Sequence, residues 1–102
     1  MSVFQKAAFA VPVSEIAVKN AFPGFSFDVF RDPPGQAWAG FVHKTDEFVV
    51  VAEGRVTIDV DEEHALCEAG DLVRIPTGSV HTLSTSADAG SVWFYGYGVF
   101  DG

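Results

Sequence analysis

From residue 25 onward, apolar and polar side chains alternate in short runs separated by Gly, Pro and Asp. A period of two places alternate side chains on opposite faces of a strand, so each run predicts a half-buried β-strand. Residues 25–29 read Phe-Ser-Phe-Asp-Val. Residues 55–60 alternate cleanly, with Val56, Ile58 and Val60 inward and Thr57 and Asp59 outward. From Trp38 the pattern sets Phe41 and His43 on one face and Gly40 and Val42 on the other, while His81 and Leu83 share a face of a later strand. Residues 47–52 form a largely apolar, β-branched run, which suits a strand. The last run, 91–100, is apolar on both faces, so one face is expected to fill an interior and the other to meet a further layer or a second subunit.

The breaks between runs are as informative as the runs. Two prolines and a glycine in 31–36 cannot hold a ladder and predict a loop. Thr45-Asp46, Glu53-Gly54, 61–63 and 68–71 read as tight connections, Pro76-Thr77-Gly78 as a sharp reversal, and 85–90 as a small polar loop. The architecture expected is all-β: a small antiparallel barrel of roughly eight short strands, spanning 25–102. Residues 1–24 form a separate arm. In it Val3, Phe4, Phe9 and Val11 would cover a barrel edge or a second subunit, and 14–18 would make at most one helical turn. No helix of any length is expected.

Three polar residues fall on inward positions of this scheme. His43 closes one strand, Glu47 opens the next across the Thr45-Asp46 connection, and His81 enters after the Pro76–Gly78 reversal. Such groups are costly in an apolar interior unless something pairs with them, so their spacing predicts a site. Two imidazoles and one carboxylate suit one face of an octahedral Fe(II) or Mn(II), or three corners of a tetrahedral Zn(II), with positions left open for water or substrate. Two alternatives stand beside the metal: a metal-free module that binds a small apolar or sugar-like ligand without catalysis, and metal-free acid/base chemistry at Glu47 and His81, as in an isomerase. Asp46 reads as a solvated turn residue that a shifted turn would let replace Glu47. His64 reads as an ordinary strand-edge histidine. Trp93, Tyr95 and Tyr97 share a parity and read first as packing residues, with a substrate contact as the lesser role.

The motif Gly35-x5-Phe41-x-His43-x3-Glu47-x6-Gly54, followed after fifteen residues by Gly70-x5-Pro76-x-Gly78-x2-His81-x3-Thr85, resembles the paired motifs of the cupin superfamily. The resemblance implies a jelly-roll barrel with a mononuclear divalent metal (zinc, iron, manganese or nickel). It implies binding of, or action on, a small organic molecule. Cupins carry many unrelated activities, so no reaction follows from it. Phe41 stands where the first metal-binding histidine usually is, and would act as an aromatic cavity wall. Thr85 stands where the family often has Asn.

Bulk properties narrow the partners. At 102 residues the chain closes one core and not two. A net charge of -8, from 14 acidic against 6 basic residues, repels phosphate backbones and anionic lipid, so neither nucleic acid nor membrane is an expected partner. No apolar run approaches the roughly 18 residues of a membrane span. The N-terminus lacks the basic start of a secretory signal, and the one cysteine, Cys67, rules out an intrachain disulfide. A cytoplasmic location is therefore expected. Cys67 itself reads as a small buried residue. The aromatic surface of an acidic chain leads to an expected homodimer. Nucleophilic and phosphate-transfer chemistries find no Gly-x-Ser-x-Gly, Cys-x-x-Cys or glycine-rich phosphate loop.

Overall fold

The computed structural model describes residues 3–33, 35, 37–42, 44–85 and 90–100, with the backbone alone at 32 and 37–41. Among these residues the strands are β1 (Phe4–Gln5), β2 (Asp28–Asp32), β3 (Ala37–Phe41), β4 (Asp46–Glu53), β5 (Arg55–Val60), β6 (Glu63–Glu68), β7 (Leu72–Ile75), β8 (His81–Thr85) and β9 (Ser91–Gly98). A helix, α1 (Glu15–Ala21), precedes all but the first. Two sheets form, with orders β1-β7-β4-β9-β2 and β3-β8-β5-β6. Every pairing is antiparallel. The all-β antiparallel barrel expected from the alternation is thus the architecture.

Between the sheets lies a core of Val49, Val51, Val56, Ile58, Val73 and Ile75 with their neighbours, all buried. These are the inward positions of the alternating runs. A second core lies on the other face of the five-stranded sheet, where Val18 and Phe22 from α1 meet Phe48, Val50, Leu72 and Phe94. The Phe22 and Phe48 rings stack with centroids 4.3 Å apart and planes 3° from parallel. The second face of β9 is therefore covered by the chain's own N-terminal layer, and it needs no second subunit for cover.

Three expectations are corrected here. The helix is real: Ser14 caps it by accepting from the Ala17 amide at 3.2 Å, Glu15 lies in its first turn and Lys19 in its last. Those charges complement the helix dipole. Its sequence signal was thin because only Val18 is buried within it, with Phe22 one turn further on. The strand expected at 25–29 begins instead at Asp28 and continues through Arg31 and Asp32. Its apolar side, with Phe27 and Val29, packs on the second core rather than in the barrel. The acidic run at 61–63 is not merely solvated, since Asp61 accepts from the Val80 amide at 3.0 Å and donates its own amide to the Val80 carbonyl at 2.8 Å. That clasp holds the approach to β8.

The arm before α1 is tied to the barrel through Asp71. The Asp71 carboxylate accepts from the amides of Ala7 and Glu68, each at 2.8 Å, and pairs with Lys6. The Lys6 ammonium also donates to the Leu66 carbonyl at 2.8 Å. Gly96 permits the close passage of the chain at Ser26: a Cβ there would stand 1.8 Å from the Ser26 carbonyl oxygen.

Candidate functional site

β4 is hydrogen-bonded on both sides, and its first inward residue is Glu47, opposite Ile75 on β7 and Tyr97 on β9. Val49 and Val51 continue the same face into the barrel core. In the opposing sheet β8 opens with His81, opposite Val60 on β5 and Phe41 on β3, and Leu83 continues its face into the same core. The reversal before β8 works through Gly78, at φ +83°, and a bond from the Ser79 amide to the Pro76 carbonyl at 3.1 Å. A positive φ is cheap for glycine and strained for other residues.

This geometry brings Glu47 and His81 together from opposite sheets. Glu47 Oε1 lies 3.3 Å from His81 Nε2, with the side chains 4% and 2% exposed. A carboxylate this dry needs a hydrogen-bonding or charged neighbour, and the imidazole supplies one. His43 lies outside the described residues. Phe41 is placed by its backbone opposite His81. Among the described residues no group of three His, Cys, Asp or Glu side chains is arranged to hold a metal ion.

Two tyrosines on β9 complete the polar surroundings. Burial first, then the charge of Glu47 and the neighbouring Tyr95, push the Tyr97 phenol up to about 12. Burial also raises Tyr95, with the charges of Asp28 and Glu47 and a hydrogen bond to Asp28 adding to it. Their rings meet edge to face at 5.9 Å. Both phenols therefore stay protonated at neutral pH and keep their hydrogen-bond donor, which Tyr95 directs to Asp28. The shared parity of Trp93, Tyr95 and Tyr97 was the signal for their common face. Asp28 carried no such signal, because the polar side of its strand was assigned to solvent.

Other candidates separate from the site. Asp46 neither replaces Glu47 nor sits as a free turn residue: its two oxygens accept from the Thr77 amide at 2.8 Å and the Phe100 amide at 2.7 Å. It ties the β7–β8 loop and the C-terminal segment to the start of β4. His64 is exposed on the edge strand β6. Cys67 is buried, and desolvation, with the Asp71 charge, raises its thiol to about 11. Thr85 donates to the Pro33 carbonyl at 3.1 Å.

A family model described as a cupin domain matches residues 28–95, from the start of β2 into β9. The chain belongs to the cupin family. The barrel of this cupin is similar to that of protein TT1209 from Thermus thermophilus, at 24% identity and a TM-score of 0.67, over 88% of this chain and 82% of that one. It is similar to a Cupin 2 conserved barrel domain protein from Salinispora arenicola, at 23% identity and a TM-score of 0.66, over 74% of this chain and 63% of that one. A salicylate 1,2-dioxygenase from Pseudoaminobacter salicylatoxidans, in complex with gentisate, matches at 18% identity and a TM-score of 0.67. That match covers 74% of this chain and 20% of the dioxygenase. At these identities the likeness is one of fold. No curated protein sequence matches the chain.

Proposed function

We propose that this cupin holds a small organic molecule in its barrel, beside a single divalent metal ion bound by Glu47, His81 and His43. The observation that carries the reading is the buried approach of Glu47 Oε1 to His81 Nε2 at 3.3 Å, made across two sheets. Two donors each about 2.1 Å from a common ion, at an angle somewhat above 90°, stand about that far apart. A carboxylate and two imidazoles form a donor set that accommodates zinc, iron, manganese or nickel. With Phe41 at the position of a fourth donor, coordination positions remain for water or for the organic molecule. When bound, such an ion supplies Lewis-acid polarisation of a ligand oxygen.

The chain's own residues have three tasks. Glu47 and His81 supply the polar groups, and the buried valines and Trp93 of the core keep water from their inner side. Tyr97, opposite Glu47, offers a phenol proton to an acceptor on the bound molecule. A fold neighbour that holds gentisate supports a small organic molecule as the ligand class.

Elemental analysis of protein purified without an affinity tag tests the proposal. About one metal per chain is expected, with most of it lost in His81→Ala and in Glu47→Gln. Substoichiometric metal that His81→Ala leaves unchanged overturns it. A second reading is favoured by the direct contact of Glu47 with His81: the pair passes a proton to and from the ligand without a metal. Under that reading Phe41→His raises metal occupancy from near nothing. Under the first, occupancy is already full in the native chain.

A further inference from the structure

A surface cavity of about 380 Å³ lies on the opposite face of the five-stranded sheet from Glu47 and His81. Small-molecule sites occupy about 300–1,000 Å³. Its floor is Val29, Val92 and Phe94, whose side chains point away from the barrel, and Pro12 and Val13 of the N-terminal arm form one wall. Three charged residues, Glu15, Arg31 and Glu53, also line it.

The placement of those charges is set by register. Val92 on β9 is the partner of Arg31 on β2 and of Glu53 on β4, so the three residues form one row across neighbouring strands. Strands lie about 4.8 Å apart, which separates the Arg31 and Glu53 backbones by about 10 Å with an apolar residue between them. Among the described residues, the Arg31, Glu15 and Glu53 side chains make no ion pair. Opposite charges line one cavity without meeting across it.

We propose that this cavity is a second ligand site that takes a zwitterionic α-amino acid with an apolar side chain. Its carboxylate meets Arg31, its ammonium meets Glu53 and Glu15, and its side chain lies over Val92 and Phe94. A neutral apolar molecule would leave charges of both signs facing it. A simple anion would meet two carboxylates in a chain of net charge -8, and a simple cation would meet Arg31. These exposed groups are solvated when the cavity is empty, and a ligand carrying both signs at short range is the one that replaces the displaced water at all three; the guanidinium fork suits a carboxylate.

The test is calorimetric titration of the intact protein with L-leucine, N-acetyl-L-leucine and L-leucinamide, paired with amide chemical shifts. L-leucine should bind saturably and shift Val29, Ala52 and Val92. Each derivative lacks one charge and should bind roughly tenfold more weakly. Arg31→Gln and Glu53→Gln should each weaken L-leucine by a similar factor while melting like the native chain, since both residues are exposed. Should Glu53→Gln melt early, Glu15→Gln replaces it, and should Arg31→Gln do so, Arg31→Lys, which loses the fork, replaces it. No binding of L-leucine at its solubility limit overturns the proposal. So do equal affinities for the three compounds, or shifts confined to the surroundings of Glu47 and His81.

Discussion

Asp71 and Glu47 are both buried carboxylates, and their surroundings differ in kind. Asp71 is enclosed by three donors from two parts of the chain, Lys6 and Ala7 from the arm and Glu68 from the end of β6. Burial alone would raise its pKa, but the hydrogen bond from Lys6, the amides of Ala7 and Glu68 and the Lys6 charge together hold it below the usual carboxylate range. A pKa lowered on folding contributes stability above the unfolded value, and that contribution is lost as pH falls through the folded value. Asp71→Asn is expected to lower the unfolding free energy by about 2 kcal/mol at neutral pH. The gap to the native chain should close below about pH 4, which urea denaturation at pH 7 and pH 3 would show. Glu47 instead faces one imidazole across the barrel and has the phenols of Tyr95 and Tyr97 on the neighbouring strand β9. Cys67, with its thiol near 11, should resist a thiol reagent at pH 8 in the folded protein and react at once on unfolding. The sequence marks Glu47 and His81 as candidate site residues because an ionisable group on an inward position contradicts its neighbours. Asp71 was read as a turn residue, because its partners Lys6 and Ala7 lie far away in sequence.

Alternation is a reliable guide to elements as long as a strand has one wet face. Residues 55–60 meet that condition, and β5 has the buried side at Val56, Ile58 and Val60 that the pattern required. The condition fails for β2, whose two faces meet two different cores, and its apolar side went to the helix layer. Helix α1 escaped notice for a related reason, since most of its stability comes from one buried edge packed on Phe48. Ser14→Ala should cost about 1 kcal/mol through loss of the cap. Phe22→Ala removes a ring that stacks on Phe48 and should cost about 3–4 kcal/mol. Chemical denaturation of the two variants would separate the cap from the packing. Gly96→Ala, whose added methyl meets the Ser26 carbonyl, is expected to be at least as harmful as Phe22→Ala, because backbone rather than a side chain must move.

At the scale of the molecule the chain has two cores on either side of one sheet, and the N-terminal layer belongs to the second. Deletion of residues 1–24 would uncover Phe48, Val50, Leu72 and Phe94, and light scattering should report association or precipitation where the full chain stays dispersed. An equally soluble, monomeric truncated barrel would show that layer to be dispensable. The sequence alone determined that the chain is an antiparallel barrel, that Val56, Ile58 and Val60 face inward, and that Glu47 and His81 are buried on the inner face. Periodicity, turn chemistry and the two cupin-like motifs are local, and a strand's neighbours along the chain set its inward side. Only the tertiary structure decided what lies across from each residue. The 3.3 Å approach of Glu47 to His81, the clasp of Asp46 on Thr77 and Phe100, and the row of Arg31, Val92 and Glu53 all join distant segments. Such contacts depend on sheet order and register, which no single run of residues encodes.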